Sequence, residues 1–160
     1  MDIYAFAMEK EKFAENYYRS AAKKMKNEGL QRICILLAEE EVQHYKWIEK
    51  MKSQQPDVVE SDVLSKSKEI FAGMKESKDT FGICESQIEL FEKAQEFEQN
   101  SKSYYEEKAK QVDDPKQKEI FAQLAQQENK HFILLENVIE FLKKPEFWLE
   151  NAEFYHIDEF

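Results

Sequence analysis

Two short stretches, 87 positions apart, constrain this chain more than any other feature. Leu37–Tyr45 reads LAEEEVQHY and Leu124–Phe132 reads LAQQENKHF, and each carries a Glu three residues before a His: Glu41 with His44, Glu128 with His131. On a helix, residues i and i+3 lie one turn apart on the same face. The match extends well beyond these pairs. At the same offset Glu11 meets Glu98, Tyr17-Tyr18 meets Tyr104-Tyr105, Ala22-Lys23 meets Ala109-Lys110, Ile33 meets Ile120 and Glu49 meets Glu136. Glu matches come cheaply in a Glu-rich chain, but the Tyr-Tyr and His matches do not. The halves read as one duplicated helical hairpin, and two such hairpins about a pseudo-two-fold axis would turn like residues toward each other.

The apolar spacing supports helices throughout. Intervals of three and four residues link Ile3, Ala7, Glu11, Ala14, Tyr18, Ala21 and Met25, then Leu30, Cys34, Leu37, Glu41, His44, Ile48 and Met51. They recur through Phe91, Ala94, Glu98, Ser101 and Tyr105, and through Phe121, Leu124, Glu128, His131, Leu135, Val138 and Leu142. Such spacing keeps one face toward a core. With only three Gly and three Pro in 160 residues, little interrupts a long helix, and one domain has room for a real core.

Four long helices are therefore predicted, over about 2–27, 30–53, 83–112 and 116–143. Asn27-Glu28-Gly29 and Asp113-Asp114-Pro115 form tight turns within the two antiparallel pairs. Residues 54–82 form a long crossover, with a short helix capped by Ser61 and carrying Val63, Leu64, Ile70, Phe71 and Met74. Lys144-Pro145 stops the last helix, and the aromatic tail 144–160 packs back on the bundle or on a partner. The fold class is all-α: a four-helix bundle over 1–143, built from two repeated hairpins with a crossover at 54–82.

Each long helix thus points at least one ionisable side chain inward: Glu11, Glu41 with His44, Glu98, and Glu128 with His131. Unpaired buried carboxylates are very costly, and four converging ones repel. Two divalent cations balance four carboxylates, and mixed carboxylate and imidazole donors suit iron or manganese, with zinc as a substitute. Glu41 and Glu128 would bridge the two ions. Glu11 with His44, and Glu98 with His131, would each be terminal on one, at a spacing of roughly 3.5–4 Å between the ions. Tyr18 and Tyr105 share the stripe two turns beyond Glu11 and Glu98. Two readings of them stay open: phenols bonded to a ligand carboxylate, or ordinary aromatic core.

Other polar residues are given blander readings. Glu15, Glu39, Glu40 and Glu96 are expected to be solvated. Glu153 and His156 make a third such pair, but without a repeat counterpart it is a coincidence or a tail contact. Cys34 and Cys84 lack CxxC spacing and read as reduced thiols on helices, small core residues in a cytoplasmic protein. A net charge of −10 argues against nucleic acid and against an anionic membrane surface. The longest apolar run, Ile33–Ala38, is far too short to span a bilayer, and the N-terminus lacks a signal-peptide pattern.

Four inward Glu with two Glu-x-x-His pairs on repeated hairpins resemble the ferritin-like di-iron carboxylate proteins. Within them the chain is most similar to the rubrerythrin group. There a first-helix ligand Glu is followed two turns later by an aromatic pair, as in EKFAENYY at 11–18 and, more loosely, EQNSKSYY at 98–105. The resemblance implies two iron ions held by Glu11, Glu41, His44, Glu98, Glu128 and His131, reacting with peroxide or dioxygen. Rubrerythrin proper adds a rubredoxin-like domain with paired CxxC motifs. None occurs here, so electrons would come from a separate donor protein such as a rubredoxin. It also has a further Glu one turn after the third-helix ligand, where this chain has Ser101, which implies a more symmetric site. A homodimer is expected. The leading functional expectation is a di-iron oxidoreductase reducing hydrogen peroxide or dioxygen. The alternatives are ferritin-like iron oxidation, storage or delivery, a di-metal oxidase acting on an organic substrate, and a non-catalytic bundle.

Overall fold

The computed structural model of the chain describes residues 2–151. Six α-helices follow in order: α1 (Ile3–Lys24), α2 (Glu28–Met51), α3 (Val63–Ser77), α4 (Ile88–Gln111), α5 (Pro115–Lys143) and α6 (Pro145–Glu150). There is no strand among the described residues. Pairing is closest within α1–α2 and α4–α5, the two repeated hairpins. The chain is an all-α, ferritin-like helical bundle.

Local chemistry sets most helix ends. Asp2 accepts from the Ala5 N–H, Asn27 from the Leu30 N–H at 3.0 Å, and Asp114 from the Lys116 N–H at 2.9 Å with Pro115 opening α5. Each satisfies an orphan donor of a first turn. At α3 the cap differs from expectation. Asp62 holds the cap position without a side-chain bond, while Ser61 Oγ accepts from the Val63 N–H at 3.2 Å and also reaches Glu40.

The third long helix starts later than its apolar pattern predicts, at Ile88 rather than near residue 83. Gly82 lies at φ 72°, and a Cβ there would fall 2.7 Å from Lys26 Cβ, so the chain turns tightly against the α1–α2 corner. Gln87 holds this turn: its Oε1 accepts from the Cys84 N–H and its Nε2 donates to the Gly82 carbonyl, both at 3.2 Å. Residues 85–87 form a 3₁₀ turn before the α-helix begins. Cys84 is consequently exposed and outside any α-helix, contrary to the expectation of a core thiol on a helix, whereas Cys34 is fully buried in α2.

The inward stripes are buried as their spacing requires. They form two apolar clusters with an ionisable layer between them. One joins Tyr18, Leu30, Leu37, Phe91, Leu135 and their neighbours to α3 and α6. The other gathers Ala7, Ile48, Tyr105, Phe121 and Leu124. In α6 the Trp148 ring sits 4.5 Å from Phe71 and 5.7 Å from Phe141, centroid to centroid, closing the first cluster. The rest of the aromatic tail, with Glu153 and His156, lies outside the described residues. No helix among them is long and apolar enough to cross a membrane.

Candidate metal centre

Between the two apolar clusters lie Glu11 from α1, Glu41 and His44 from α2, Glu98 from α4, and Glu128 and His131 from α5. All six are buried, none more than 1% exposed. They fall into two overlapping sets. Glu11, Glu41, His44 and Glu128 each offer a donor atom within 4.8 Å of the others, as do Glu41, Glu98, Glu128 and His131. Glu41 and Glu128 belong to both sets. The two imidazoles lie nearly parallel, 8° apart in plane with centroids 5.5 Å apart, as expected of residues related by a pseudo-two-fold axis.

Each imidazole turns Nδ1 toward the carboxylates and Nε2 away. His44 Nδ1 is 2.7 Å from Glu128 Oε1 and 3.5 Å from Glu11 Oε2. His131 Nδ1 is 2.9 Å from Glu41 Oε1 and 3.3 Å from Glu98 Oε1. On the outer side, His44 Nε2 meets Gln127 Oε1 at 2.7 Å and His131 Nε2 meets Glu40 Oε1 at 3.1 Å. Each outer oxygen accepts from Nε2–H, so a neutral ring here would turn its Nδ1 lone pair toward the centre.

The donors fit cations better than they fit one another. Glu11 Oε2, Glu41 Oε1, His44 Nδ1, Glu98 Oε2 and Glu128 Oε1 are buried atoms without a hydrogen-bond partner. His44 Nδ1 and Glu128 Oε1 are close, yet not aligned as donor and acceptor. Donor atoms from five residues thus converge in one buried layer without satisfying one another. A buried polar group left in that condition costs several kcal/mol or more when it is charged, roughly. Two divalent cations, one in each set, would satisfy all of them.

The electrostatics carry the same strain. Burial raises Glu41 well above the ordinary carboxylate range, and the charges of Glu11, Glu128 and Glu98 raise it further. Glu128 is raised likewise by burial and by Glu98 and Glu11. Burial also pushes Glu11 and Glu98 upward, but His44 beside Glu11 and His131 beside Glu98, with hydrogen bonds from neighbouring groups, outweigh it and hold both below their usual value. His131 is opposed by burial but raised well above an ordinary imidazole by Glu98 and Glu40. A fixed positive charge between the carboxylates is what such a set requires.

The tyrosines decide between their two readings by contact. The Tyr18 hydroxyl donates to Glu98 Oε1 at 2.5 Å and the Tyr105 hydroxyl donates to Glu11 Oε1. Each reaches across from one hairpin to a carboxylate of the other, Glu98 or Glu11. Both phenols are raised well above their usual range by burial and by these carboxylates, so they remain donors.

Two residues that hold the histidines escaped the sequence reading. Glu40 is not a solvated surface residue: its carboxyl is held down to about 2, against burial, by His131 and Ser61. Gln127 is buried, and its Nε2 donates to the Val59 carbonyl at 2.8 Å. The available signal was the repeat, since positions 40 and 127 correspond, each just before a shared Glu. Glu15 is also less solvated than expected, its carboxylate bonded to Lys12 at 3.1 Å and Arg19 at 2.7 Å. Glu39 and Glu96 are exposed as expected.

Comparison with known proteins agrees with the geometry. A family model described as Rubrerythrin matches residues 2–139. No curated protein and no solved structure matches the chain.

Proposed function

The chain belongs to the rubrerythrin family, and from that premise we propose that it is a non-haem di-iron oxidoreductase that reduces hydrogen peroxide or dioxygen. The observation that carries this reading is the convergence of five unpartnered buried donor atoms in one layer of the bundle. Glu11 and His44 would hold one ion and Glu98 and His131 the other, with Glu41 and Glu128 shared between them. Bound there, a pair of ferrous ions would supply the two electrons that peroxide needs, with two protons, to become two waters. The metal itself is iron in this reading, with manganese or zinc as substitutes the same donors accept.

The protein's own residues do the rest. The apolar clusters above and below the layer keep bulk water out, which strengthens every charge interaction within it. Tyr18 and Tyr105 hold Glu98 and Glu11 in place through charge-assisted hydrogen bonds and keep one oxygen of each carboxylate occupied. Glu40 and Gln127 fix the imidazole planes. Electrons come from a separate donor protein such as a rubredoxin, in a cytoplasmic setting where Cys34 and Cys84 stay reduced. The working form is a homodimer.

The test is metal analysis of protein purified without oxygen, followed by peroxide addition. Two iron ions per chain, a peroxide-induced change in near-ultraviolet absorption and catalytic peroxide loss with a reduced donor are expected. Iron-loaded protein whose spectrum peroxide leaves unchanged would refute the oxidoreductase reading. A net charge of −10 favours one alternative, in which ferrous iron itself is the substrate for oxidation and storage or delivery. That reading requires a large multi-subunit particle by gel filtration.

A further inference from the structure

Among the described residues, four side chains outside the six hydrogen-bond to them: Tyr18, Tyr105, Glu40 and Gln127. The tyrosines are repeat equivalents and make equivalent contacts. Glu40 and Gln127 are repeat equivalents too, since 40 and 127 differ by the same 87 positions. Each precedes a shared Glu and receives the Nε2–H of the opposing imidazole. Here the symmetry breaks, because one acceptor is a carboxylate and the other an amide.

The crossover enforces this difference. Ser61 Oγ donates to Glu40, and Gln127 Nε2 donates to the Val59 carbonyl at 2.8 Å. The second contact sets the orientation of the Gln127 amide, leaving its oxygen, not its nitrogen, for His44. Val59 and Ser61, two positions apart in the crossover, thus hold the groups behind both imidazoles, and those two groups are acceptors of different charge.

We propose that Glu40 and Gln127 make the two metal positions unequal, and that the position of Glu98 and His131 takes the first divalent cation. This rests on the two-metal reading above and goes beyond it. The donors of the two positions match one for one: a terminal Glu, a His Nδ1 and the two shared carboxylates. What separates them is the group behind the imidazole. A carboxylate on the outer N–H makes the inner nitrogen a stronger donor and adds a negative charge on that side, whereas an amide contributes only a dipole. Exchanging such outer partners typically changes metal affinity about 10- to 100-fold. The Gln127 side is the weaker one, where a cation enters last and leaves first.

Site-resolved zinc titration tests this. Metal-free protein labelled in its histidine rings with nitrogen-15 gives three ring systems, His44, His131 and His156, assigned through single substitutions. At one Zn²⁺ per chain, the metal-shifted Nδ1 signal of His131 should be about ten-fold more populated than that of His44, or more. Glu40→Gln should bring the two toward equal filling. The paired exchange Glu40→Gln with Gln127→Glu keeps net charge and side-chain size, and should reverse the order. Equal filling in the natural chain, or an order that survives the paired exchange, overturns the proposal while leaving the two-metal centre standing. If neither signal moves with excess Zn²⁺, the two-metal reading itself fails and takes this one with it.

Discussion

Replacing Glu41 by Gln should stabilise the metal-free protein, although Glu41 sits at the heart of the proposed centre. Glu41 is buried among Glu11, Glu98 and Glu128, and burial with those three charges raises it well above its ordinary 4.5. In the unfolded chain the same carboxyl ionises normally. A raised folded value costs about 1.4 kcal/mol for each unit of the shift that lies below the working pH, so at pH 7 the cost is at most about 3.4 kcal/mol. Gln keeps the size and polarity and removes the cost. Urea unfolding of chelator-treated protein, followed by circular dichroism, should therefore give a more stable variant at pH 7, by up to about 3 kcal/mol. The sign fixes the pH dependence: a group with a raised folded value destabilises the native state above 4.5, so the advantage should shrink as pH falls toward 4.5. Adding Fe²⁺ or Zn²⁺ should reverse the ranking, because in the proposed centre Glu41 would be a ligand to both ions and Gln would not. A metal-free variant less stable than the natural chain, or an advantage independent of pH, would refute the reasoning.

Other consequences follow from contacts elsewhere in the bundle. Tyr18→Phe and Tyr105→Phe each remove a buried hydrogen bond to a carboxylate and should each cost about 1.5–3 kcal/mol in urea unfolding; near-zero effects would mean that the phenols are only packing. Cys84 is exposed and its thiol is lowered by hydrogen bonding to Ser86, while burial pushes Cys34 up to about 12. A thiol reagent should modify one cysteine of the folded protein at once and the second only on unfolding, with mass spectrometry locating the first at Cys84. Gly82→Ala places a Cβ at φ 72° against Lys26 Cβ and should destabilise by more than about 1 kcal/mol; an unchanged urea midpoint would contradict the tight turn.

The bundle was legible because its stripes are unbroken. Each inward residue of α2, from Leu30 through Glu41 and His44 to Met51, sits at a three- or four-residue interval, and all are buried. That spacing depends only on helix geometry. The repeat then related the hairpins and brought Glu11 into the same layer as His44 without any knowledge of the connections. What depended on the crossover was not legible. Glu40 lies one position off the stripe, about 100° around the helix, on a face that could meet water or another segment. It is claimed by Ser61 only because the chain crosses there. The start of α4 was misjudged for a related reason. Ile83 and Cys84 continue an apolar pattern, but Gly82 is committed to a turn against Lys26, a long-range contact with no local signature. The tyrosines were ambiguous because a buried phenol and a buried phenyl share one periodicity, and only the position of the carboxylates on the opposite hairpin separates them.

The most direct measurement is the anomalous scattering of crystals grown from iron-loaded protein, with data collected on both sides of the iron absorption edge. Two peaks per chain are predicted in the ionisable layer, one bounded by Glu11, His44, Glu41 and Glu128 and the other by Glu98, His131, Glu41 and Glu128. Iron-loaded crystals with no peak in that layer, or with iron held only by surface carboxylates, would contradict the account.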